Sequence, residues 1–244
     1  MADRGLFTNL TFRADRWENG AKAGYMDAFN VSEMQITQPD PDTKTRVSYM
    51  AESYGQALGA ISTPKPATIQ FKTDSLPPAY LSMALLGVPA DYTQTVAAAV
   101  ESTFVAITNK WVPLARVELT AFAIAGKTLG VDYEVHLAGG LVKVLGSPGT
   151  IVNGSTVTYT HSAPARAGSK IVAGTQSLIQ LTLHGSGINA DTGKRCGILV
   201  HKANVSPSGA LSFIGADYIS MTFKGTLIKP DDQDGSWEYW EFES

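Results

Sequence analysis

The chain has 244 residues, of which 44% are hydrophobic and 17% are charged. These proportions are typical of a globular protein and exclude a disordered one, and the length allows one large β domain or two small ones. The formal net charge of −3 lacks the positive excess with which nucleic-acid-binding domains usually grip their ligand.

The chain carries no sign of a membrane or secreted protein. No apolar run approaches the roughly 18 residues of a membrane-spanning helix, and the first residues lack a basic-then-apolar secretion signal. We therefore expect a soluble protein that is cytoplasmic when made. The one cysteine, Cys196, lies in a strand-like run, which predicts a buried thiol.

The N-terminal quarter reads as strands separated by turns. Strands are predicted at 5–13 and 29–37, and the second changes parity between Val31 and Met34, which indicates a β-bulge. A proline-rich turn leads to a strand at 46–51, and the uncharged stretch 53–66 then reads as a loop. Its tyrosine, leucine and isoleucine have no obvious core to join, so the loop is either pinned locally or used for binding.

One convincing helix is predicted at 77–86, after a strand at 67–73. Asp74 and Ser75 offer N-cap oxygens, and Pro77 suits the first turn, where a missing N–H costs nothing. Gly87 and Pro89 end the helix. Because it is apolar over most of its circumference, we expect it to pack on a sheet.

From residue 93 to the C terminus the pattern is β throughout. Strands are predicted at 93–108, 114–124, 131–137, 141–145, 155–161, 170–173, 177–185, 196–205 and 219–227, with glycine and proline turns between them. This pattern predicts a mainly β fold, an antiparallel β-sandwich or barrel with one flanking α-helix. No flexible linker divides the chain, so we expect one domain over residues 1–244, with a possible β insertion at 111–165.

Two predicted strands carry polar faces opposite apolar ones. Ile219, Met221, Phe223 and Leu227 share one side of the last strand, whereas Ser220, Thr222 and Lys224 share the other. Gln180, Thr182 and His184 form the polar side of the strand at 177–185. The acidic tail that follows contains Trp237, Tyr239, Trp240 and Phe242, which either fold back as an edge strand or dock on another subunit.

The sequence contains no recognisable catalytic motif. The four histidines lie in separate strands without metal-ligand spacing, so no zinc site is expected. No nucleophile elbow and no glycine-rich phosphate loop before a helix is present. We therefore expect no cofactor and no enzymatic activity.

Three parts of the sequence resemble the major tail tube protein of long-tailed, siphovirus-type bacteriophages. The first runs from Val200-His201-Lys202-Ala203 through residues 209–213 and Asp217-Tyr218 to residues 221–227. The second runs from Asp132-Tyr133-Glu134-Val135 to Gly140-Leu141 and on through Ser147, Ile151, Gly154 and residues 157–159. The third is the strand–helix unit that ends in Leu85-Leu86-Gly87.

This resemblance implies a tail-tube-like β-sandwich subunit that assembles into stacked hexameric rings, which form a conduit for DNA ejection. Implied partners are further copies of the chain, together with tape-measure, tail terminator and distal tail proteins. Viral DNA would pass through without specific binding, and no membrane is involved. The implied location is the tail of the virion, after synthesis in the host cytoplasm.

Under this resemblance, two sets of residues are candidates for function. Those for contacts between rings or subunits are Tyr54, Gln56, Leu58, Ile61, Trp237, Tyr239, Trp240 and Phe242. Those for a polar lumen are Gln180, Thr182, His184, Ser220, Thr222 and Lys224. Two other readings are a carbohydrate- or cell-surface-binding β-sandwich module, whose tryptophans and tyrosines would stack on sugars, and a tube protein of a bacterial contractile injection system.

Overall fold

A computed structural model describes residues 6–18, 20–146, 151–215 and 217–243. Strands make up 55% of the described residues and helix 3%, which confirms the mainly β fold with one helix. The elements in chain order are β1 (Thr8–Glu18), β2 (Ala21–Tyr25), β3 (Val31–Thr37), β4 (Asp42–Val47), β5 (Ala57–Thr63), β6 (Thr68–Thr73), α1 (Pro78–Ala84), β7 (Val88–Gln94), β8 (Ala97–Val105), β9 (Trp111–Pro113), β10 (Ala121–Ala123), β11 (Tyr133–His136), β12 (Leu141–Val144), β13 (Thr156–Ala163), β14 (Arg166–Val172), β15 (Ile179–Asn189), β16 (Arg195–Ser208), β17 (Met221–Leu227) and β18 (Trp237–Glu241).

The chain groups into two compact units. The first unit consists of Met1–Pro89 and Ile171–Ser244, and the second of Ala90–Lys170. The possible insertion predicted at 111–165 falls inside the second unit. Strands β7 and β14 pair with each other where the chain passes from one unit to the other.

An antiparallel, eight-stranded sheet forms the first unit. Its order is β2-β1-β15-β16-β17-β6-β3, and β18 pairs with the part of β16 that β17 leaves free. Strand β16 was predicted to end at Val205 but continues to Ser208, with Pro207 opposite Phe223. A proline is tolerated there because β15 pairs with β16 only as far as Val205.

The core of the first unit lies against one face of this sheet. Met221, Phe223 and Leu227 are buried, as their alternation predicts, and Phe223 stacks on Phe71 with ring centroids 5.1 Å apart. Ile219, predicted to share that side, precedes β17 and is exposed. The predicted buried thiol is confirmed, because Cys196 is buried in β16.

Helix α1 packs on this core through Tyr80, Met83 and Ala84. The prediction that Asp74 or Ser75 caps the helix was wrong, since Pro77 occupies the N-cap position and no side chain caps the N terminus. The prolines at this end have no N–H to be satisfied, which lessens the need for a capping oxygen. The helix ends before Leu86, whose φ of 49° is left-handed.

Residues 31–73 form one long antiparallel ribbon in two halves. In the first half β3 pairs with β6 inside the sheet, and the predicted bulge is confirmed by a register shift between Val31 and Glu33. In the second half β4 pairs with β5. The prediction of a loop over 53–66 was therefore wrong in part, because residues 57–63 form β5, and the strand predicted at 46–51 is β4, four residues earlier.

The second unit contains two three-stranded sheets, β10-β13-β8 and β11-β12-β9. They share a core that includes Phe104, Tyr133, Val142 and Tyr159. The strand predicted at 114–124 was wrong in its first half, because only residues 121–123 are a strand. The Gln94 side chain accepts a hydrogen bond from the Val117 N–H and donates one to the Val117 C=O. These two backbone groups therefore cannot pair with a neighbouring strand.

A histidine is buried in the core of the second unit without a matching polar environment. His161 is 2% exposed, and its ring lies 5.2 Å from that of Tyr159. Neither ring nitrogen makes a well-formed hydrogen bond to a described residue, although the Val100 backbone lies close by. Burial lowers the pKa of His161, and the positive charge of Arg116 lowers it further.

This histidine predicts that the second unit loses stability in mild acid. Below the unfolded-state pKa of about 6.5, the unfolded chain binds a proton that native His161 does not, so stability falls as the pH drops. We expect the urea midpoint of β13, read by pulsed hydrogen exchange at a fixed labelling pH, to fall between pH 7.5 and 5. His161→Phe should flatten this dependence, whereas a change at the exposed His136, His136→Gln, should retain it. Equal pH profiles for the wild type and His161→Phe would show that His161 is not the group responsible.

Candidate assembly surfaces

The second half of the ribbon projects as an arm (β4, β5 and the turn between them, residues 42–63). Every residue of both strands is exposed. Within the part of the chain that the structure describes, β4 and β5 pair only with each other, and no buried core cluster includes them. An isolated two-stranded hairpin is marginally stable in water, so this arm is an element without a partner in its own chain.

The two faces of the arm differ in chemistry. On one face Lys44 lies opposite Ile61, and Asp42 and Arg46 lie on either side of Lys44, which places an apolar side chain beside two cations and one carboxylate. Ile61 is 74% exposed. The other face is polar: Thr43 lies opposite Ser62, and their hydroxyls are 3.0 Å apart. Leu58, also exposed, lies at a register shift of this hairpin.

The tip of the arm is held closed and presents aromatic side chains. The Ser48 N–H donates to the Gln56 C=O at 2.8 Å, and the Ser48 hydroxyl lies 2.7 Å from that of Ser53. Tyr49 and Tyr54 meet edge to face at 6.1 Å and are both exposed. Tyr49 was missed by the sequence reasoning because it lay in a predicted strand, where an apolar residue needs no special explanation.

A groove of about 530 Å³ lies between β1 and β3. Its apolar lining includes Leu10 of β1, Met34 and Ile36 of β3, and Ile198 of β16. These four side chains are only partly buried against the core. The β1–β3 groove is therefore a part of the sandwich that its own chain leaves uncovered.

The groove exists because β1 and β3 do not pair with each other within the described residues. The chain between β2 and β3 runs along β1, where the Met26 N–H donates to Ala14 O and the Phe29 N–H donates to Phe12 O. Beyond Phe12, no described pairing links β1 to β3, and the sheet does not close into a barrel. The groove is consequently flanked by two strand edges whose backbone groups are free to pair.

The aromatic tail folds back on its own chain as β18, which pairs with β16 from Cys196 to Val200. Trp237 and Tyr239 line the β1–β3 groove, whereas Trp240 points to the other face. There a Cβ added to Gly197 would lie 2.4 Å from the Trp240 ring, so only glycine admits the indole. Phe242, beyond the strand, is exposed. The break in alternation at Tyr239 and Trp240 thus arises because both faces of this strand are partly covered.

The end of this strand is held by hydrogen bonds around Glu241. Its carboxylate accepts from the Thr192 hydroxyl at 2.7 Å, from the Asn189 amide at 3.2 Å and from the Tyr239 hydroxyl at 3.0 Å. The hydrogen bonds from Thr192 and then Asn189 hold the pKa of Glu241 below its usual value. The anchored form of the tail is thus favoured at neutral pH, where Glu241 is ionised.

The predicted polar face of β15 is largely covered by aromatic side chains. Thr182 is fully buried, accepts a hydrogen bond from the Trp17 indole and donates one to His201 O. His184 is half-buried, with Tyr25 at 5.9 Å and Trp240 at 5.8 Å. Gln180, also half-buried, donates to the Asn204 side chain. Thr182 therefore has no contact with solvent, whereas the other two keep part of theirs.

The predicted polar face of β17 belongs to a wider polar surface. Lys224 lies opposite Gln70 of β6, and Gln70 lies opposite Gln35 of β3. The row Thr222, Lys72 and Glu33 lies beside it, so polar side chains cover three adjacent strands. Sequence reasoning found the β17 members of this surface but not those of β3 and β6. Ser220, half-buried, immediately precedes β17.

No group of three or more His, Cys, Asp and Glu side chains within the described ranges is placed to hold a metal ion. The described helix, α1, falls far short of what a membrane-crossing helix needs in length and apolarity.

No curated protein matches this chain. A family model matches residues 11–236, which cover both compact units. The chain therefore belongs to the family described as Protein of unknown function UCP028589.

Proposed function

We propose that this protein is the structural subunit of a bacteriophage tail tube, in which stacked hexameric rings enclose a conduit for DNA. The observation that carries the proposal is the arm, an exposed hairpin with apolar side chains and no described partner in its own chain. An exposed apolar element of this kind marks a protein interaction site. A second copy that covers the arm would stabilise it and link the two subunits.

The unpaired strand edges support the same proposal. Free edges invite uncontrolled pairing, and natural proteins cover them or close them into rings. A further copy of the chain would cover the edges of β1 and β3 that each subunit leaves unpaired. The arm would then make the contacts between rings, with Tyr54, Leu58 and Ile61 as its apolar contact residues.

The polar surface on β17, β6 and β3 is the candidate for the wall of the conduit. It combines Lys224 and Lys72 with Glu33, glutamines and threonines, so it carries no strong charge of either sign. DNA binds proteins chiefly through contacts of Lys and Arg with phosphate, and a surface with few such contacts lets it slide. A net charge of −3 for the whole chain fits this role.

The proposed role is structural and not catalytic, in the tail of the virion. Its partners would be further copies of the chain and, as the resemblance implies, tape-measure, tail terminator and distal tail proteins. A tube protein of a contractile injection system would assemble in the same way. A tape-measure gene downstream of the coding sequence would favour the phage.

The test is electron microscopy of the purified protein. We expect negative-stain images at high concentration to show rings or tubes with a central channel. A glycan array is the matching control, because a sugar-binding module would stay monomeric and bind glycans. Particles that stay monomeric at every concentration would contradict the proposal.

A further inference from the structure

We propose that the arm of one copy seats in the β1–β3 groove of a second copy, with Ile61 inside the groove. This inference rests on the proposed assembly function and adds the surface that receives the arm. It joins two features that each subunit leaves uncovered, the arm with its exposed Ile61 and the groove with its partly buried Leu10, Met34 and Ile36.

The occupant has to come from another molecule because the arm continues the same ribbon as β3, one wall of the groove. The two halves of the ribbon are fixed by the pairs Thr37–Thr68 and Asp42–Thr63 on either side of the joint. To enter its own groove, the arm would have to reverse both strands within this joint. The joint consists of the segments 38–41 and 64–67, and each contains two prolines. Because proline fixes φ, these residues restrict such a reversal.

The dimensions of the two surfaces agree. Strand β5 has seven residues, as does β3, the longer free edge of the groove. At about 3.3 Å per residue, both extend over about 23 Å. An added strand can therefore run along the full free edge of β3, bonded by its backbone and anchored by its side chains, as in β-strand addition.

Their charges are complementary as well. Of the described residues that line the groove, Glu33 alone is charged, and its carboxylate, at the free edge of β3, also accepts a hydrogen bond from Gln35 of the polar surface. The arm face that carries Ile61 also carries Lys44, Arg46 and Asp42, so its net charge is positive. An isoleucine on a face of net positive charge thus meets an apolar groove with a carboxylate at its rim, which favours this face of the arm over the Thr43 and Ser62 face.

Because the arm and the groove are different surfaces of the same chain, each bound copy still offers one of each. Such a heterologous contact does not close after two copies but propagates. The contact would therefore give a stack of rings its direction, with arms at one end and open grooves at the other.

Two variants that each lose one half of the contact test the proposal. Ile61→Asp removes the arm's anchor and keeps the groove, whereas Met34→Lys blocks the groove and keeps the arm. We expect each variant alone to form no tubes. Preformed particles of the two variants, when mixed, should join in pairs that do not grow further, seen by negative stain and by analytical ultracentrifugation. Ile214→Asp, a change at an equally apolar and exposed residue outside both surfaces, should form tubes like the wild type.

A charge exchange keeps the proposal falsifiable if Met34→Lys does not fold. Glu33→Lys on the exposed rim should abolish or strongly reduce tube formation, and adding Lys44→Glu and Arg46→Glu to the same chain should restore it. Tubes by the wild type but no pairing of mixed variants and no rescue would overturn the groove assignment and leave the proposed function intact. Failure of the wild type to assemble would count against the proposed function itself.

Discussion

Removing the arm should leave a folded subunit that no longer forms tubes. Replacing residues 42–63 by an Asn-Gly turn takes away two strands whose side chains are all exposed and which belong to neither core. Single surface substitutions usually alter stability by no more than about 0.5 kcal/mol, and shortening a surface loop changes its closure entropy only slightly. Thermal unfolding should therefore match that of the wild type, whereas tubes should be absent from negative-stain images.

A milder change separates the apolar tip from the rest of the arm. Tyr49→Ser with Tyr54→Ser keeps the backbone hydrogen bonds that close the tip, including the one from the Ser48 N–H to Gln56 O. If the tip contributes apolar contact, this variant should need a higher protein concentration to form tubes. Tubes of normal length from the arm deletion would contradict the assignment of the arm to assembly.

Truncating one aromatic residue in each core should destabilise one unit and spare the other. Phe223→Ala removes a ring that is 1% exposed and stacks on Phe71 in the first unit, and Phe104→Ala removes one that is 6% exposed in the second. Buried Phe→Ala changes cost about 3–5 kcal/mol, because the side chain is lost and a cavity remains. Each variant is the matched control of the other.

Urea unfolding with pulsed hydrogen exchange reads the two units separately, since peptides from β17 and β13 report on different cores. We expect Phe223→Ala to lower the midpoint of β17 and leave that of β13 unchanged, and Phe104→Ala to do the reverse. A common midpoint for both peptides in both variants would show that the units unfold as one.

Much of this fold follows from local patterns in the sequence. Met221, Phe223 and Leu227 alternate cleanly with polar residues, and the structure buries all three. The failure at 114–124 has a nonlocal cause. Residues 115–121 alternate as regularly as those of β17, but Glu118 has a left-handed φ of 51°, and the Gln94 side chain occupies the backbone groups of Val117. No pattern within residues 114–124 reports a side chain 23 positions away from Val117.

The candidate assembly surfaces were also predictable from the sequence only in part. Exposed Tyr54, Leu58 and Ile61 mark the arm in the sequence. Its strand β5 was missed because both of its faces are exposed to solvent, so no alternation of apolar and polar residues arises. The β1–β3 groove could not be predicted at all. It draws residues from β1, β3, β16 and β18, which come together only once the register and curvature of the sheet are known.

The joint between the two halves of the ribbon also affects the subunit before it assembles. Before assembly the arm exposes two unpaired strand edges, and an exposed strand of another protein can pair with either of them. Pro39, Pro41, Pro64 and Pro66 lie between the last pair of the base and the first pair of the arm. Since proline has no N–H to give, a misplaced ladder that begins on the arm stops after six or seven residues and cannot run on into the body of the protein. The prolines that separate the arm from the sheet therefore also keep any incorrect pairing of the arm short, and a short ladder dissociates readily.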